Sequence, residues 1–153
     1  QIRVLIAGTG EDAYVASLKT RAESAGVSED IIFLGMVVGD LKLSLYAMAD
    51  VFALPTQQEN FGLVYPEALL CGTPVIGTKG TDIWRELEEG GAVIAPRTPE
   101  AFADAIDLLC SDKSKLQELG VRGRNQMLKW LDTESVAKRY EELYNKVATG
   151  QEL

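Results

Sequence analysis

No histidine occurs in the 153 residues. That removes imidazole general bases, histidine-containing triads and histidine-based zinc sites. Cysteine is almost as scarce. Cys71 and Cys110 are isolated in sequence, each at the end of an apolar helical stretch, so two buried thiols are the expectation and a disulfide the lesser alternative. No apolar run approaches the roughly 20 residues needed to span a bilayer, and no signal-peptide pattern opens the chain. Positive charge is in short supply: 15 Lys and Arg against 23 Asp and Glu give a net charge of −8, with no basic cluster in the first 100 residues. Nucleic acid is thereby a poor candidate for the main partner. A diphosphate ligand would need local donors strong enough to outweigh the global field. There is no internal repeat and no low-complexity linker.

What is present is a regular alternation of apolar runs and helical patterns. Hydrophobic residues make up 46% and charged residues 25%, as in a globular chain, and the length fits one domain, residues 1–153, with a sizeable core. The start at Gln1 rather than Met, directly into a strand pattern, reads as an excised or processed piece. Ile2 to Ala7 is apolar apart from Arg3, as in a strand buried on both faces. Further strands are expected at about 31–34, 51–54, 74–77 and 92–95. Helices are expected at about 11–25, 41–48, over the stretch carrying Glu67, at 82–89, from Pro99, at 114–128 and at 133–148. Thr98-Pro99-Glu100 is a helix start, and residues 149–153 read as a frayed tail. Strands alternating with helices predict an α/β fold: a Rossmann-like parallel sheet flanked by helices in three layers.

The stretch PTQQENFGLVYPEALLCGTPVIG, residues 55–77, carries the most chemistry. It is a strand, loop, helix, turn and strand in under thirty residues. It places Glu59, Glu67 and a run of backbone N–H groups at the carboxyl end of a parallel sheet, where open α/β sheets bind ligands. Glu59 has two readings: a carboxylate capping the helix that follows, worth about 0.5–2 kcal/mol, or one aimed at a ligand. Glu67, on an otherwise apolar helix, either faces water or accepts from a ligand, because a buried unpaired charge is expensive. Pro66 lacks an N–H and limits the helix start to Gly62 or later. Gly8-Thr9-Gly10-Glu11-Asp12-Ala13 after the first strand matches a dinucleotide fingerprint. Two features weigh against NAD. The next strand ends in Gly35-Met36 with no acid to hold a ribose, and Glu11 and Asp12 would repel a pyrophosphate. A tight turn is the simpler account. Trp84 reads as packing, and the acid pairs Glu88-Glu89 and Glu141-Glu142 as solvated helix faces.

Glu59, Phe61-Gly62-Leu63, Glu67-Ala68 and Gly72-Thr73-Pro74-Val75 together resemble the signature of the family-4 retaining glycosyltransferases of the GT-B fold, in the order expected of the carboxyl-terminal, donor-binding domain. The likeness extends from about Val4 to Pro96. It implies that Glu59 lies against the donor sugar as the catalytic-site carboxylate. The N–H groups of Asn60, Phe61, Gly62 and Leu63 would help hold the sugar and diphosphate, and Glu67 would bind the ribose hydroxyls. The loop Gly35, Met36, Val37 would lie near the nucleobase. The implied activity is transfer of a hexose-like sugar, as in polysaccharide biosynthesis, from a UDP-, GDP- or ADP-sugar to an acceptor with retention of configuration. It needs no cofactor and no essential metal. The physics of the segment agrees: amides at a helix start lack internal partners and suit an anion, and Gly62 lets backbone approach a ligand. Asn60 stands where the family often has Gly.

Two parts of the family pattern are absent: the acceptor-binding amino-terminal domain, and the Gly-Arg-Leu…Lys-Gly strand and helix that normally open the donor domain and supply cations to the diphosphate. The chain alone is therefore expected to be inactive, since stabilising leaving-group charge is the main catalytic device. Its sheet is expected to have a gap between residues 2–7 and 51–54, an edge that invites self-association. The location implied is cytoplasmic, with any contact at the inner membrane face made by the missing domain. The alternatives are a non-catalytic, engineered, epimerase-like or phosphorylase-like GT-B fragment and, third, an NAD-binding Rossmann domain. Nucleotide binding that depends on Glu67 separates the first reading from these.

Overall fold

The computed structural model describes residues 2–150, so the end of the expected tail, 151–153, lies outside the described residues. The chain divides into two compact units, residues 1–42 and 43–153.

The first unit contains β1 (Val4–Ala7), α1 (Asp12–Ser24), a short 3-10 turn at Ser28–Asp30, β2 (Ile31–Gly35) and the start of α2 (Gly39–Met48). β1 and β2 pair in parallel, Val4 opposite Ile31 through Ile6 opposite Phe33. The glycine turn after β1 is a tight one: Gly8 has φ +134° and its N–H donates to Gly35 O at 2.7 Å. The expectation of a first strand buried on both faces fails here. Val4 is 44% and Leu5 39% exposed. The apolar run reports what the strand would bury, and the elements described in this unit do not cover it.

The second unit holds the rest of α2, then β3 (Phe52–Ala53), α3 (Val64–Leu70), β4 (Val75–Gly77), α4 (Trp84–Glu89), β5 (Val93–Ile94), α5 (Pro99–Cys110), α6 (Lys113–Trp130) and α7 (Thr133–Thr149). β3, β4 and β5 form a parallel sheet in that order, Phe52 opposite Val75 and Ile76 opposite Val93. β4 is central and fully buried. Its side chains alternate between two cores, as strand geometry requires. Val75 joins Tyr46, Tyr65, Leu69, Leu87 and Met127, while Ile76 joins Phe102, Ala105 and Leu109. Helices thus cover both faces of this sheet.

Side-chain caps set several boundaries, one of them the helix start read at Thr98-Pro99. Thr98 caps α5 by accepting from the Ala101 N–H at 3.2 Å, with Pro99 just inside. Asp112 and Asp132 cap α6 and α7; hydrogen bonds from Ser114 and Lys115, and from Ser135, hold these carboxyls below the usual carboxylate range. Both cysteines are free, but the expected burial does not hold: Cys71 is half-buried and Cys110 exposed. Cys110 is the last residue of α5, one position on from the buried Leu109 and therefore turned about 100° away from it.

Candidate functional site

The segment between β3 and α3 is irregular, and each end is pinned. Glu59 pairs in parallel with Thr81 as an isolated bridge. Its N–H donates to Gly80 O at 2.8 Å, and the Asp82 N–H donates to the carbonyls of Glu59 and Asn60 at 3.1 and 3.2 Å. Glu59 is therefore not the cap of α3. Leu63 stands at that position and makes no side-chain capping bond. Downstream, the Tyr65 N–H donates to Gly62 O at 2.9 Å and the Glu67 N–H to Leu63 O at 3.0 Å. Between these anchors the N–H groups of Asn60, Phe61, Gly62 and Leu63 donate to no acceptor among the described residues.

Gly62 is what lets the segment turn. Its φ of +64° lies in the left-handed region, and a Cβ there would meet the Tyr65 ring at 2.8 Å and Glu59 Cγ at 2.9 Å. Both the conformation and the space demand glycine. The Glu59 side chain is half-buried beside Tyr65. Burial and the charge of Glu59 push the Tyr65 phenol up to about 12, and its Oη donates to Leu54 O at 3.2 Å.

Glu67 does not simply face water. It is half-buried, and Tyr46 Oη donates to its Oε2 at 3.3 Å. Burial and then the Glu67 charge raise the Tyr46 phenol to about 12, so Tyr46 remains a donor through the whole neutral range. Phe52 of β3 joins the two tyrosines edge-on, at 5.4 Å from Tyr46 and 6.0 Å from Tyr65. Tyr46 and Tyr65 are the residues that motif spacing does not reveal. The available signal is general: a tyrosine at an apolar helical position needs a partner for its hydroxyl.

The second unit thus brings Glu59, Asn60, Phe61, Gly62, Leu63 and Glu67 onto one loop and the helix it opens. Gly35, Met36 and Val37 belong to the first unit. There Gly35 closes β2 with φ +68° and Met36 is 65% exposed in the loop leading to α2. Trp84 is more than packing. Lys79 Nζ lies 4.7 Å and the Arg85 guanidinium 4.6 Å from its ring, a cation–π arrangement in the loop and helix that follow β4.

Residues 1–126 match the family model of the group 1 glycosyl transferases. The chain is 33% identical over 156 aligned positions to the D-inositol 3-phosphate glycosyltransferase of Corynebacterium urealyticum, an alignment covering 99% of this chain and 37% of that protein. The chain therefore spans little more than a third of the length of such relatives. Its structure resembles that of HepE from Anabaena, solved in complex with UDP, with a TM-score of 0.83 at 23% identity, covering 95% of this chain and 41% of that one. It also resembles the C-terminal domain of a group 1 glycosyl transferase, LpcC, of Francisella tularensis, with a TM-score of 0.67 at 26% identity over 79% of this chain and 63% of that one.

Proposed function

This chain belongs to the group 1 glycosyl transferases, and on that premise we propose that it supplies the donor-binding half of a retaining, GT-B-type glycosyltransferase. It holds a nucleotide-diphosphate sugar, whose sugar passes to an acceptor carried by a domain outside this chain. The observation that carries this reading is the run of amides at Asn60, Phe61, Gly62 and Leu63 with no protein acceptor, set beside the half-buried Glu59. A turn that leaves four consecutive backbone donors without a protein acceptor is suited to an anion.

In the proposed mechanism the bond between the anomeric carbon and the diphosphate oxygen breaks, the acceptor's hydroxyl oxygen bonds to that carbon, and its proton passes to the departing phosphate, on which negative charge grows. The amides of residues 60–63 stabilise that charge from fixed positions, and preorganised donors need no reorganisation at the moment of reaction. Glu59 orients the sugar through its hydroxyls. Glu67, steadied by Tyr46, accepts from the ribose hydroxyls, two adjacent donors that suit one carboxylate. The mechanism calls on no metal or cofactor. UDP is the nucleotide bound to HepE; which base this chain takes is the point of the test.

Calorimetric titration of the chain with UDP, GDP and ADP, with Glu67→Ala as control, tests the reading. Binding of one nucleotide, weakened about tenfold or more in the variant as a charged hydrogen bond is lost, supports it and fixes the donor class. A folded wild-type chain that binds none of the three, or a variant that binds as well as wild type, overturns it.

A further inference from the structure

Phe61 has an amide in the proposed donor site, yet its own peptide makes no hydrogen bond among the described residues. Its ring is held instead by Trp130, the last residue of α6. The two rings stack with centroids 5.5 Å apart and 12° between planes, at the edge of a cavity of about 390 Å³ that Arg139 and Tyr140 of α7 also line. Trp130 is fixed from two directions. It packs against the core around Tyr65 and Leu69, and its carbonyl accepts from Arg139 Nη2 at 3.0 Å.

The route from core to turn can be traced along α6. Gly120 lies so close to Gly72, just past the end of α3, that a Cβ would stand 2.1 Å from Gly72 O, and Gly123 meets Leu69 of α3 in the same way at 2.6 Å. α6 therefore runs against α3 in the opposite direction. Ten residues beyond Gly120, about 15 Å along the helix axis, Trp130 arrives at the loop that precedes α3.

We propose that Trp130 is a positioning residue for the donor site: by stacking on Phe61 it holds the Asn60–Leu63 turn in the conformation in which its amides can receive a diphosphate. This rests on the donor-binding reading above. A residue acting this way affects ligands that use the turn and spares those that use only Glu67. The test compares wild type, Trp130→Ala and Trp130→Phe by amide NMR order parameters of residues 60–63 and by calorimetric affinity for the nucleoside diphosphate and for its nucleoside. In Trp130→Ala the order parameters of the turn are expected to fall while the amides of β4 keep theirs. Diphosphate affinity is expected to drop about tenfold, the size of one lost aromatic pair, with nucleoside affinity within twofold of wild type. Trp130→Phe restores both. An unchanged turn in Trp130→Ala overturns the proposal, as does a looser turn with unchanged diphosphate affinity or an equal loss for nucleoside and diphosphate. Should wild type bind no nucleotide, the donor-binding reading fails, and the positioning role for a diphosphate is overturned with it; the order parameters then still decide whether the stack orders the turn.

Discussion

At Gly62 two independent constraints meet: a left-handed backbone, and no room for a Cβ between Tyr65 and Glu59. Gly62→Ala is therefore expected to destabilise the second unit by about 2 kcal/mol or more, summing the left-handed penalty of roughly 1–2 kcal/mol and the cost of overpacking. Urea unfolding monitored by tryptophan fluorescence checks this, and a change below about 0.5 kcal/mol, the ordinary surface value, would remove both constraints from the account. Glycine in Phe-Gly-Leu was legible as a place of close approach, but its neighbours were not. That Tyr46 rather than water meets Glu67 depends on residues 21 positions apart brought together by packing, which no local spacing records. Cys110 fails for the same reason. Its apolar setting in sequence is shared by both sides of α5, and only packing decides which side is covered.

α3 and α6 show the same limit one level up. Glycine within a helix costs about 1 kcal/mol relative to alanine by propensity alone, so Gly120→Ala and Gly123→Ala would stabilise a solvent-facing helix. In the structure both glycines are buried against α3 and the turn after it, Gly120 against a backbone carbonyl that cannot step aside. The sign is expected to reverse. Gly120→Ala should lower stability by roughly 2 kcal/mol or more, because separating the helices costs more than the propensity gain. A thermal melt that rises in this variant would contradict the close packing. Helix ends were easier to read. α5 and α7 begin at the expected Pro99 and Thr133, since caps are chemical events within four positions. Strand lengths were harder. Residues 51–54 and 92–95 yield two-residue ladders, because pairing is decided by the neighbouring strand.

The two units differ in what they bury. Within residues 2–42, Ala22 is the one buried side chain among the described residues, whereas residues 43–150 contain two apolar clusters built around Tyr65, Leu69, Ile76 and Leu109. Few buried contacts mean a low free energy of local opening. Amides of β1 and β2 are therefore expected to exchange through a sub-global opening, at least about tenfold faster than those of β4, in native-state hydrogen exchange. Equal protection in both units would argue for a single cooperative core. No helix among the described residues is long and apolar enough to cross a membrane.

The sequence by itself determined the α/β class, the five strands and the order of the helices, because period-two and 3.6-residue patterns, caps and glycine turns act over a few residues. It also determined membership of the glycosyl transferase family, through a motif compact enough to read in one stretch. Only the tertiary structure decided that Glu59 sits on a bridge to Thr81 instead of capping α3, that Tyr46 holds Glu67, that β1 lies largely exposed, and that Trp130, far downstream, stacks on Phe61. Those outcomes follow from which surfaces meet when the chain closes on itself, and side-chain contacts between distant positions leave no period and no spacing in a single sequence.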